Sequence, residues 1–71
     1  MDTSLFQISM EAARVNAKLT QDEAAKLQGV SRATIISWEN GKTIPSIPRL
    51  HKMAEVYGVP VDIIFLPIHS T

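Results

Sequence analysis

Few side chains in this 71-residue chain have the spacing that bond-making chemistry needs. The two histidines, His51 and His69, stand eighteen positions apart with no carboxylate at metal-ligand spacing, and there is no cysteine. No phosphate-cradling glycine loop occurs, and no nucleophile can be paired with a base. Catalysis and a cofactor are therefore not expected. The informative groups lie instead in residues 20–41, TQDEAAKLQGVSRATIISWENG. Thr20 and Glu23, three apart, can satisfy each other's backbone amides, the hydroxyl taking one and the carboxylate the other. Gly29 can adopt the left-handed conformation that ends a helix, Ser31 can cap the next one, and Gly41 after Asn40 is placed to stop it.

These signals predict two short helices across a glycine turn. Ala24, Ala25 and Leu27 are the apolar positions of the first, and Ile35 and Trp38 face inward from the second. Two helices meeting steeply at such a turn make a helix-turn-helix, whose second helix can lie in a DNA major groove. The remaining elements must hold this pair. A first helix is expected over residues 5–17, capped by Thr3 or Ser4, with loose periodicity through Leu5, Ile8 or Ser9, Ala12 and Ala13. Pro45 disfavours helix at Ile44, so residues 41–45 read as a loop. A fourth helix starts at Ser46, tolerates Pro48 in its first turn, and buries Ile47, Leu50, Met53, Ala54 and Tyr57 at three- and four-residue spacing before Gly58. Residues 59–66 read as a short fifth helix, with Pro60 near its start and Pro67 after its end. Its inward set is Val59, Ile63, and Ile64 or Leu66.

Bulk properties suit one domain over residues 1–71, with a short tail at 67–71 and no inducer-sensing or long dimerisation segment expected beyond it. A hydrophobic fraction of 45% supports a compact core. The longest apolar run, residues 63–68, contains a proline and is far too short for a membrane span. Without cysteine or a signal segment, a cytoplasmic setting is expected. Seven Lys/Arg balance seven Asp/Glu, a net charge of zero. Proteins that grip nucleic acid usually carry a basic footprint, although distribution matters more than the sum.

Taken together, Leu19-Thr20-Gln21, Ala25, Gly29-Val30-Ser31, Thr34-Ile35 and Trp38-Glu39-Asn40-Gly41-Lys42 resemble the lambda-repressor-like (Cro/CI, XRE-type) helix-turn-helix family of phage repressors and bacterial regulators. The resemblance continues through Pro45-Ser46, Leu50, Met53-Ala54 and Tyr57-Gly58-Val59, and covers about residues 10–66. It implies an all-α, compact five-helix domain in which Met10 and Ala13 point inward from helix one. Trp38, in the Trp-Glu-Asn-Gly signature, then belongs to the core. Gln28 departs from the pattern, because an apolar residue usually precedes the turn glycine. Either Leu27 compensates through a small rotation of the helix, or Gln28 sits at the core edge.

The resemblance also implies site residues. Arg32, Ala33, Ile36 and Ser37 would face bases from helix three. A guanidinium such as that of Arg32 can donate twice to guanine O6 and N7, with a solvated charge or a phosphate contact as its alternatives. Ile36 departs from a usually small or polar position, leaving three roles open: meeting a thymine methyl, packing partly on a neighbouring helix, or joining a protein interface. Arg14, Gln21, Asn40 and Lys42 are the phosphate-contact candidates, although Asn before Gly is also a helix-ending pair. Glu39 can pair with Arg14 or brace the helix ends.

The leading functional expectation is a sequence-specific DNA-binding regulator acting on an operator, Cro-like in its brevity. Reading one short half-site per chain implies a homodimer. Val61, Ile64, Phe65, Leu66 and Ile68 offer an interface, or merely finish the core. The alternative is a modulator or anti-repressor of phage type that keeps the fold but binds a partner repressor protein through Ile36, Phe65, Leu66 and Ile68. Zero net charge and the apolar Ile36-Ser37 face favour that alternative.

Overall fold

A computed structural model describes residues 7–66. Among these residues four α-helices follow one another, α1 (Met10–Asn16), α2 (Gln21–Gln28), α3 (Arg32–Glu39) and α4 (Ile47–Tyr57), with a 3-10 turn at Val61–Ile63. Every α-helix opens on a hydroxyl. Ser9, Thr20, Ser31 and Ser46 each accept the amide three residues ahead, from Ala12, Glu23, Thr34 and Arg49. Such a cap contributes about 1 kcal/mol to a short helix whose end amides are otherwise unpaired. At Thr20 the capping box is complete, and accepting the Thr20 amide holds the Glu23 carboxyl below its ordinary pKa. Gly29 ends α2 with φ of 71°, a conformation that strains any side chain bearing a Cβ.

The two ends of the domain differ from the sequence expectation for one shared reason. Ile8 and Ile64 form a parallel bridge, in which the Ile8 N–H donates to Ile63 O at 2.7 Å and the Phe65 N–H donates to Ile8 O at 2.7 Å. Backbone held extended for this pairing cannot be helical. Hence α1 begins at Met10 with Ser9 as its cap, and the expected start at Thr3 or Ser4 lies outside the described residues. The expected fifth helix over 59–66 shrinks to the 3-10 turn, since Pro60 before it and Ile64 after it are both extended. The five-helix count is therefore corrected to four α-helices and one 3-10 turn among the described residues.

The core collects Met10 and Ala13 from α1, Ile35 and Trp38 from α3, the Leu50–Tyr57 face of α4, and Ile64. Ile35 and Met53 are the largest of the side chains sealed completely. Leu27 and Ile47, expected inward, are exposed instead. Gln28 takes the place that Leu27 would have had: it is buried, not at the edge, and its Nε2 donates to the Tyr57 hydroxyl at 3.0 Å. Burial raises the Tyr57 pKa, so the phenol stays neutral in this pair. Gln28 Oε1 has no hydrogen-bond partner among the described residues. A buried acceptor left unpaired costs more than a made hydrogen bond returns. Replacing both partners, Gln28→Leu with Tyr57→Phe, should thus leave stability unchanged or raise it by up to about 1 kcal/mol. Gln28→Leu alone strands the phenol and should be about 1 kcal/mol less stable than the double variant. Urea unfolding checks the order, and a double variant weaker than the single one would refute it.

Candidate nucleic-acid interface

The inward anchoring of α3 fixes what it shows to solvent. At about 100° per residue, Arg32, Ala33, Ile36, Ser37 and Asn40 share one face, opposite Ile35 and Trp38. Arg32, Ala33 and Asn40 are exposed, whereas Ile36 and Ser37 are half-buried. Thus the amino-terminal end of α3 is the more open end. Ser37 is less free than its sequence suggested. Its Oγ lies 2.8 Å from Thr43 Oγ1, and its carbonyl accepts the Lys42 N–H at 3.0 Å. This ties the loop after α3 back onto the helix and sets Thr43 beside the same face, a residue the sequence reading missed because the contact depends on how the loop folds back. Asn40 ends the helix in the right-handed region, followed by Gly41 at φ of 76°. Lys42 is exposed immediately after it.

Behind this face runs a buried polar network that braces the motif. Glu39, at the end of α3, receives Arg14 Nε at 2.7 Å on one carboxylate oxygen and Arg14 Nη2 at 3.2 Å on the other. Gln21 Nε2 adds a third hydrogen bond at 3.1 Å, and Arg14 Nη1 donates to Leu19 O at 2.9 Å. The Arg14 and Glu39 side chains are only 11% and 5% exposed. Hydrogen bonding to Glu39 raises the pKa of Arg14, which stays charged. Arg14 therefore joins α1, α2 and α3 from inside, through the pairing with Glu39 that the sequence offered beside a phosphate contact. Gln21 is anchored through the same carboxylate but keeps a second amide proton at the start of α2. Arg49 also has a fixed partner: its Nη1 donates to Gln28 O at 3.0 Å, satisfying the end of α2 beside the Gly29 turn.

The electrostatics of the face follow. With Glu39 paired to Arg14 inside, Arg32 at the start of α3 and Lys42 just after its end are exposed cations, and the exposed Asp22 lies 3.6 Å from Arg32 Nε. Zero net charge overall coexists with two exposed cations flanking the outward face of α3. No group of His, Cys, Asp or Glu among the described residues could hold a metal ion, and no described helix is long and apolar enough to cross a membrane.

A helix-turn-helix family model matches residues 10–64, spanning all four helices and the 3-10 turn. The chain belongs to the lambda-repressor-like helix-turn-helix family. Within it, the chain is 48% identical over 48 residues to an uncharacterised helix-turn-helix-type transcriptional regulator of Methanocaldococcus jannaschii, covering 68% of this chain and 73% of the relative. It is 33% identical over 57 residues to the cryptic phage CTXphi transcriptional repressor RstR of Vibrio cholerae, covering 80% of this chain and 51% of that protein. A helix-turn-helix-type transcriptional activator of Enterococcus faecalis, BcrR, is 32% identical over 57 residues, 80% of this chain but 28% of its own length. No solved structure matches.

The candidate interface residues for a protein partner divide between two places. Phe65, 47% exposed, and the half-buried Leu66 line an open hollow of about 460 Å³ with Ile47 and His51. None of the lining residues belongs to α2 or α3, so Ile36 lies apart from this patch. Ile64 is core, Val61 is half-buried, and Ile68 lies outside the described residues.

Proposed function

We propose that this chain is a sequence-specific DNA-binding transcription regulator that lays α3 in the major groove of an operator. The observation that carries the reading is the outward face of α3. Core anchors Ile35 and Trp38 and the Glu39 network hold the helix rigidly, while Arg32 and Ala33 stand exposed at its amino-terminal end. In this geometry Arg32 reads guanine, Ala33 meets a thymine methyl, and Ile36 and Ser37 line the groove. Lys42, Asn40 and the start of α2 at Gln21 contact phosphates on either side. Relatives named as a repressor and as an activator both fit operator occupancy, whose sign depends on where the operator stands relative to the promoter.

One helix in one groove reads only a few base pairs, so useful specificity calls for two copies. The apolar patch of Ile47, Phe65 and Leu66, which includes no residue of α3, is the surface assigned to a homodimer. Half-sites would then recur at about one helical turn, roughly 34 Å. Selection from random duplexes by the purified protein, followed by anisotropy titration at two salt concentrations, tests the reading. The expected result is a palindromic site whose affinity falls with salt. Failure to enrich any motif would sink it and turn attention to a partner repressor protein as the target.

A further inference from the structure

Asp22 and Arg32 come together from the amino-terminal ends of two helices, as the second residue of α2 and the first of α3. Arg32 Nε is 3.6 Å from Asp22 Oδ1, and the side chains are 60% and 71% exposed. Neither is needed to cap or fill the fold. The capping carboxylate of α2 is Glu23, and the cap of α3 is Ser31. A negative charge in the first turn of α2 is favourable in itself, but that duty is shared with Glu23 and does not require Arg32.

A guanidinium has two donor edges: Nε with one terminal nitrogen, and the two terminal nitrogens together. A carboxylate beside Nε engages the first and leaves the second, which can bind guanine O6 and N7 in a bidentate manner. In free solution such an exposed pair is weak. Docking on a duplex removes water around it, and the attraction strengthens as the local dielectric falls. The same carboxylate penalises the competing use of Arg32. Should the guanidinium swing to a phosphate, Asp22 is left unpaired beside a polyanion, a repulsion that disfavours loose, sequence-independent complexes.

We propose that Asp22 is a specificity-determining positioning residue, which orients Arg32 toward a base and discourages its capture by phosphate. The inference rests on the groove-binding reading of α3 given above. Its test uses the operator enriched by the wild-type protein and a scrambled duplex of equal length, titrated with wild type, Asp22→Asn, Asp22→Glu, Arg32→Ala and the Asp22→Asn/Arg32→Ala double variant. Asp22→Asn should bind the scrambled duplex roughly three- to tenfold tighter without a matching gain on the operator, so that discrimination falls. Asp22→Glu, which keeps the carboxylate, should retain most of the discrimination. In the Arg32→Ala background, Asp22→Asn should shift both duplexes by the same factor, because no guanidinium remains to be oriented. Melting temperatures close to wild type confirm that the exposed substitutions leave the fold intact. Equal tightening on both duplexes in the wild-type background would overturn the proposal and leave operator binding standing. If the wild-type protein enriches no operator at all, both fall together.

Discussion

Replacing Glu39 with alanine is expected to remove a large share of the stability of this domain. The substitution leaves the Arg14 guanidinium, 11% exposed, without its bidentate partner and frees Gln21 from its anchor. Removing one member of a buried ion pair costs about 3–5 kcal/mol, because the other charge stays behind unpaired. Arg14 keeps its bond to Leu19 O and a little contact with water, which places the loss near the lower end, about 3 kcal/mol. A domain of this length has only about 4–10 kcal/mol to lose, so the melting temperature should fall by roughly 12–24 °C. Trp38, the single tryptophan and a buried one, reports the transition by its fluorescence in urea. The pair itself adds little beyond not being broken. Arg14→Met with Glu39→Leu, which replaces both charges by apolar groups of similar reach, should recover much of the loss. A Glu39→Ala protein within 1 kcal/mol of wild type, about fivefold in the unfolding equilibrium, would show that water already screens the pair.

That network marks the boundary of what the sequence could disclose. The caps of α2 and α3 were legible because Thr20 with Glu23, and Ser31 with Thr34, act within three residues, and hydrogen bonds at that range are written directly in the spacing. The inward positions of Ile35, Trp38, Met53 and Tyr57 followed from helical periodicity for the same reason. For Arg14 the sequence leaves two roles open, a phosphate contact and a pair with Glu39, because a partner 25 positions away leaves no mark in local spacing. The ends of the domain were misread for the same reason. Residues 59–66 have the apolar content of a helix, but the pairing of Ile64 with Ile8 decides their backbone, and no local signal anticipates it. Gln28 is the converse case. The sequence flagged it as out of pattern, and only its distance to Tyr57 explains how an amide is tolerated inside.

Of the proposed interface residues, Arg32 carries the largest expected effect on binding. It stands exposed at the open end of α3, and its terminal nitrogens have no hydrogen-bond partner among the described residues. Loss of a bidentate guanine contact costs about 1–3 kcal/mol, so Arg32→Ala should weaken binding to the selected operator by roughly five- to 150-fold. The distinguishing consequence is at the sequence level: preference at one base pair in each half-site should disappear while the others persist. Lys42→Ala provides the contrast. A cation that meets only phosphate should weaken every duplex alike and reduce the slope of log affinity against log salt by about one per chain. Fold effects do not confuse the comparison, since an exposed pair such as Arg32 with Asp22 contributes little to stability. If Arg32→Ala and Lys42→Ala give the same sequence-independent loss, Arg32 is a phosphate contact, and the reading of sequence passes to Ala33, Ile36 and Ser37.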